Sequence, residues 1–239
     1  MIINISLSRL KINFKGGIVD IVNAIKSRRS VRAFKKKKVS IKKIKEILEI
    51  ASLAPSGSNT QPWNVHVLMG NNLKKFTNSM VKEFNNNKNL KLERLNYMYK
   101  YRTPYVERRR KVGWDLYNLL NIKKGDFDKT IKFHSQNYSF FEAPVGLIFS
   151  IEKDLGWMSW LDYGMFIQNI SLLCRKHGLH SCSQAAWGLV YKKANNYLKL
   201  KKNFTVHCGM AIGYEDEKKI INTLRTDREK IEKFCKFLN

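Results

Sequence analysis

Residues 27–32 read Ser27-Arg28-Arg29-Ser30-Val31-Arg32. If this stretch is helical, Arg28 and Arg32 stand one turn apart. Like charges at that spacing cost about 0.2–0.5 kcal/mol. A bound phosphate reverses the sign. Guanidinium groups grip phosphate oxygens with paired hydrogen bonds, and a serine hydroxyl adds another. The plainer account is that arginines at a helix end satisfy its carbonyls and its dipole. Both accounts stand on these residues alone.

Outward from this stretch the pattern is mostly legible. Upstream, residues 18–27 carry apolar side chains at helical spacing, and Asp20 places an acid in the first turn. Residues 1–17 read as a loosely specified arm. Its apolar residues are broken by Asn4, Ser6 and Ser8, and its first charge is Arg9. That order does not match a signal peptide, so the expectation is a cytoplasmic protein. Downstream, Ser40 predicts an N-cap for a second helix with Ile41, Ile44, Ile47, Leu48 and Ala51 on one face.

A polar loop follows, Ala54-Pro55-Ser56-Gly57-Ser58-Asn59-Thr60-Gln61-Pro62-Trp63. The prolines disfavour helix at Ala54 and Gln61. Gly57 lets backbone lie close against a flat partner. Asn59 and Gln61 each offer a donor and an acceptor, which matches the edge of an isoalloxazine pyrimidine. An ordinary polar turn reads the same way.

Val65–Met69 predicts a strand ending at Gly70. Residues 72–142 predict a helical excursion, with patches at 73–84, 93–100 and 105–120. Val145–Ile151 predicts a buried strand. The segment 157–177 predicts a helix apolar nearly all round and therefore buried on all sides, stopped by Gly178. Phe204–Ile212 predicts a second buried strand, and the charged tail a short helix near 228–237. The order is α+β with no βαβ alternation. The sequence holds no G-x-G-x-x-G, no phosphate-binding G-x-x-x-x-G-K-[ST] and no G-x-S-x-G.

The bulk numbers set limits. A chain of 239 residues, 44% hydrophobic and 12% aromatic, can fold around a sizeable core. No apolar run is long enough for a membrane span. Cys174, Cys182, Cys208 and Cys235 form no C-x-x-C and predict buried free thiols. His177 and His180 have no acidic neighbour in sequence and read as surface or cap residues; no metal site is expected. The net charge of +26 raises a polyanion partner. The lysines, however, spread along the whole chain, so no specific nucleic-acid partner is expected.

Taken together, Ser27–Arg32 and Ala54–Trp63 resemble the opening of the FMN-dependent nitroreductase family. Further segments agree in order: Phe141–Gly146, Asp162–Asn169, Gly178–Ala186, Cys208–Tyr214 and Asn222–Arg228. Tyr105–Tyr117 fits the nitrobenzoate-reductase-like branch.

The resemblance implies a central mixed or antiparallel sheet wrapped by helices, in an intertwined homodimer. It implies one FMN-binding domain at 18–239, with a lid at about 85–140 and a C-terminal arm from about 215. Arg28, Arg29, Ser30 and Arg32 would hold the FMN phosphate and ribityl chain. Pro55, Ser56, Gly57 and Asn59 would line the ring, partly from the second subunit. Ser183, Gln184 and Ala185 would lie near N5. Arg228 would return to the phosphate, with Arg225 as the alternative. The helix 157–177 would suit the interface, although burial within one subunit explains it equally. NAD(P)H would give hydride to the flavin, and a planar nitroaromatic would take the electrons, so no catalytic acid or base is required. Candidates for stacking on the acceptor are Tyr97, Tyr99, Tyr101, Tyr105, Trp114 and Tyr117, and Arg108, Arg109 and Arg110 could attract an anionic one. Two rival expectations are a reductive dehalogenase of halogenated phenols on the same fold, for which Ser183 is the relevant hydroxyl, and a basic nucleic-acid-binding module without turnover.

Overall fold

The computed structural model describes residues 20–87 and 102–238. The predicted arm at 1–17, the helical patch at 93–100, and Tyr97, Tyr99 and Tyr101 lie outside them. The first helix, α1, runs Ile21–Ser27. Asp20 is not in its first turn but caps it, its carboxylate accepting from the Val22 and Asn23 N–H groups. Helix α2, Ile41–Ala51, has Ser40 as its cap, with the hydroxyl accepting from Lys43 N–H. Ile44, Ile47 and Ala51 are buried as expected, but Ile41 is exposed.

Among the described residues, four antiparallel strands form one sheet. They are β1 (Asn64–Met69), β2 (Val145–Glu152), β3 (His180–Gln184) and β4 (Phe204–Gly213), in the spatial order β1-β2-β4-β3. β2 and β4 occupy the centre and are apolar along both faces, because each face has its own core. Val145, Leu147, Phe149 and Ile151 of β2 meet Tyr163, Phe166, Ile170 and the α2 face. Ile148 meets the other core, with Phe76, Phe140 and Trp187. That second face carries small residues. A Cβ at Gly146 would collide with the Phe140 ring, and one at Gly209 with the Trp187 indole. Glycine there lets the two aromatic side chains lie against the sheet. A bulge between Phe149 and Ser150 shifts the register, so that Cys208 and Val206, two apart, face different cores.

The remaining helices are α3 (Gly70–Asn86), α4 (Tyr105–Leu119), α5 (Phe127–Ser135), α6 (Met158–Lys176) and α7 (Tyr191–Tyr197). The expected helical patches at 73–84 and 105–120 fold as α3 and α4, and α5 adds a helix outside the expected patches. Helix α6 corrects one expectation. Its buried positions, including Ser159, Asp162, Tyr163, Phe166, Ile170 and Cys174, form one face, while Leu161 is 57% exposed. Apolar composition on every side did not mean burial on every side within this chain. The tail corrects another: of the helix expected near 228–237, only Ile231–Lys233 is a helical turn, of 3-10 type. Strand β3 escaped prediction, because His-Ser-Cys-Ser-Gln has no apolar alternation. Its pairing with β4 makes it a strand. Cys174, Cys182 and Cys208 are buried free thiols, whereas Cys235 is partly exposed. Among the described residues no helix is long and apolar enough to cross a membrane.

Candidate functional site

Helix α1 ends at Ser27, and Arg28 caps it in an extended conformation, its N–H donating to Ala24 C=O. The helical one-turn spacing of Arg28 and Arg32 therefore does not arise. The chain runs on extended beside β3. Ser30 bridges Ser181 in parallel, and Val31 N–H donates to Ser181 C=O at 3.1 Å. Extended backbone sends alternate side chains to opposite sides. Val31 is fully buried, and Arg29 turns with it to pair with the buried carboxylate of Glu215. Arg28, Ser30 and Arg32 are left for the other side.

Arg28, Ser30 and Arg32 line a cleft of about 640 Å³, and Arg29 lines it as well. Arg225 and Arg228 of the tail reach the same cleft, as do Lys26 from α1, Gln168 from α6 and Val112 from α4. Sequence reasoning set Arg225 and Arg228 as alternatives; both line the cleft. The tail is strapped along α4 by Arg108–Glu229 at 3.0 Å and Lys111–Asp227 at 3.4 Å. Among the described residues no carboxylate lines the cleft. Cations gathered without a lining acid repel one another, and an anion relieves that repulsion.

Behind the cleft lies a buried charge cluster that the sequence did not reveal. His180 Nε2 is 3.1 Å from Glu215 Oε2 and 2.7 Å from an Arg175 guanidinium nitrogen. Arg175 also donates to Ser27 Oγ at 3.1 Å and to Leu179 C=O at 2.7 Å. Burial, with the Arg175 and Arg29 charges beside it, pushes the His180 pKa down to about 4. The two guanidiniums, with Lys35, outweigh the opposing Glu217 carboxylate. His180 is thus neither a surface nor a cap residue, and its acidic partner is 35 positions away in sequence (215 − 180). His177 does cap α6, and it faces Glu46 at 3.6 Å.

The proline loop lies apart from the arginine cleft: Pro55, Ser56, Gly57 and Asn59 do not line it. Asp162 of α6 holds the loop, accepting from Gly57 N–H at 3.2 Å. Ser56 Oγ accepts from Gln61 N–H at 2.9 Å. Ser58, Asn59 and Gln61 all take positive φ, a strained arrangement for side-chain-bearing residues, of the kind that gathers at functional sites. The loop's polar tips face solvent.

On β3, Ser183 is exposed and shares a strand face with Ser181, the bridge partner of Ser30. Gln184 turns the opposite way and is 3% exposed. Its Nε2 donates to Asn137 C=O at 2.8 Å, and its Oε1 accepts from Trp187 Nε1 at 3.4 Å. The Gln184 side chain is therefore committed to the core, and its backbone pairs with Gly209 of β4. Ala185 opens the 3-10 turn that follows. In the excursion, Tyr117 Oη lies 3.0 Å from His134 Nε2, while Tyr105 and Trp114 are exposed.

The nitroreductase family model matches residues 25–214. The 4-nitrobenzoate reductase of Pseudomonas putida is 39% identical over 216 residues, 90% of this chain and 93% of that protein. Among solved structures, the FMN and NADPH-dependent nitroreductase NfnB of Sphigopyxis sp. strain HMH has a TM-score of 0.89 at 31% identity, covering 92% of this chain and 100% of that one. The FMN-dependent nitroreductase NfnB of Mycobacterium smegmatis, solved with NADPH, has a TM-score of 0.86 at 26% identity with the same coverage.

Proposed function

Because this chain belongs to the nitroreductase family, we propose that it is an FMN-dependent oxidoreductase that takes reducing equivalents from NAD(P)H and passes them to nitroaromatic acceptors. The observation that carries the reading is the cleft where arginines from residues 28–32 and from the tail converge with no lining carboxylate. Its donor set suits a phosphate monoester.

FMN held in the cleft would supply two-electron redox chemistry between NAD(P)H and the acceptor. The protein binds and orients. Arg28, Arg32, Arg225 and Arg228 hold the phosphate, and the Ser30 hydroxyl adds a hydrogen bond. Arg29 also lines the cleft, its charge balanced by Glu215. Ser183, Gln184 and Ala185 would stand beside the flavin, with Ser183 offering its hydroxyl.

The proline loop is built to present polar edges outward, yet it stands away from its own arginine cleft. In this reading Pro55, Ser56, Gly57 and Asn59 serve the cleft of a second copy. Exposed apolar side chains on α1 (Ile21, Val22, Ile25) and α6 (Leu161) support such a homodimer. The three buried free thiols suit a reducing, cytoplasmic setting.

Steady-state turnover tests the function. NAD(P)H consumption should require both FMN and 4-nitrobenzoate, and the aromatic product should carry the reduced nitrogen. FMN-loaded protein that consumes no NAD(P)H with nitroaromatic acceptors would sink the reading.

A further inference from the structure

Two stretches far apart in sequence bring arginines to the cleft, and one buried residue touches both. Asn222 is 4% exposed, within the 3-10 turn Ile220–Thr223. Its Oδ1 accepts from Arg32 N–H at 2.9 Å. Its Nδ2 donates to Ala33 C=O at 2.9 Å and to Asp216 C=O at 3.0 Å. Its own carbonyl accepts from the Arg225 guanidinium at 2.9 Å. A primary amide has two N–H donors, and here both are used.

We propose that Asn222 is a positioning residue for the anion cleft, registering the Arg32 backbone against the tail so that arginines from both stretches meet one phosphate. The proposal rests on the reading of the cleft as a phosphate site. The division of labour with Glu215 is clear from the geometry. Glu215 engages Arg29 on the inner side of the extended segment, whereas Asn222 acts on the neighbours that frame the cleft.

Replacing Asn222 by alanine leaves the segment attached by other bonds. Asp216 N–H still donates to Ala33 C=O at 3.1 Å, and Val31 N–H still donates to Ser181 C=O. The loss falls on the Arg32 N–H and on the anchoring of the tail. The expected defect is therefore specific to the phosphate end of the ligand.

The test uses full-length protein stripped of flavin, with FMN and riboflavin as paired probes, since riboflavin lacks only the phosphate. Dissociation constants are measured for the wild type, Asn222→Ala, Arg32→Ala and the double variant. Asn222→Ala should weaken FMN about tenfold, the size of a lost charge-assisted contact, and leave riboflavin nearly unchanged. In the Arg32→Ala background it should add little, because groups acting as one unit are not additive. Equal weakening of both flavins, no weakening of either, or full additivity with Arg32→Ala would overturn the proposal while leaving the cleft reading intact. A wild type that binds FMN no better than riboflavin would overturn the cleft reading itself, and the proposal with it. If the alanine variant does not fold, Asn222→Ser keeps one hydroxyl for one of the bonds. It should then show a smaller loss, still confined to FMN, and an equal loss for both flavins would count against the proposal.

Discussion

Glu215 and Arg29 form a side-chain ion pair across 186 positions of sequence, and the carboxylate is 4% exposed. This pair decides what the other arginines do. Arg29 lines the cleft but is tied to Glu215, whereas Arg28 and Arg32 lie on the opposite side of the extended segment from Val31. Removing one partner of a buried pair strands the other charge, typically at a cost of about 3–5 kcal/mol. Arg29 keeps 28% side-chain exposure, which lets water compensate in part. Glu215→Ala should therefore cost about 2–3 kcal/mol, read as a lower urea midpoint with an unchanged slope. A loss below about 0.5 kcal/mol, the scale of a surface substitution, would mean the pair is solvated.

The arginines facing the cleft should matter for the phosphate and not for the ring. Arg28→Ala and Arg32→Ala should each weaken FMN by about 1.5 kcal/mol, roughly tenfold in Kd, and leave riboflavin within about twofold. FMN affinity should also fall with salt more steeply than riboflavin affinity. Calorimetric titration of both flavins at two ionic strengths checks this. Equal losses for both would place the phosphate elsewhere.

Acid should destabilise this protein before carboxylate protonation begins to matter. All five histidines, His66, His134, His177, His180 and His207, have pKa values held below the ordinary one, with burial the leading cause in each. For His180 the folded value is about 4, against about 6.5 for an exposed imidazole. Between those values the unfolded chain binds more protons than the folded one, so stability rises with pH. It is complete above about 6.5 and declines as pH falls toward about 4. Urea titrations across that window should show the decline, and His180→Gln should flatten part of it. A flat profile in the wild type would contradict the burial of these rings.

Gly209 should tolerate no side chain. Its Cβ position is occupied by the Trp187 indole on one side and lies 3.1 Å from the Leu147 carbonyl oxygen on the other. Gly209→Ala should destabilise by about 1–3 kcal/mol through overpacking, seen as a lower Tm. Because Trp187 Nε1 donates to Gln184, tryptophan fluorescence should report the disturbed contact. An unchanged Tm would show that the indole moves freely.

Legibility in the sequence followed how local each cause was. Ser40 as a cap, the α2 face apart from Ile41, and the two central strands rest on local sequence, and they fold as expected. The arginines of residues 28–32 were visible by composition, but not their division into two sides, since that depends on the extended backbone after Ser27. Glu215 carries no local signal at all; it matters because β4 ends beside His180 and Arg29. Asn222 stood in a motif without a role until its three partners were in view. Gln184 lay in the right segment, but its side chain turns into the core because Trp187 and Asn137 take its amide. The α6 periodicity is masked by apolar residues on its exposed face, where one chain alone supplies no cover.

The central claim is that this protein is a flavoprotein with a reducible, reoxidisable FMN. An anaerobic spectral titration addresses it most directly. Protein reconstituted with FMN should be yellow, bleach on stoichiometric NADPH or NADH, and regain its colour when 4-nitrobenzoate is added. A protein that stays colourless with added FMN, or whose flavin is bleached but not restored by the nitroaromatic, would contradict it.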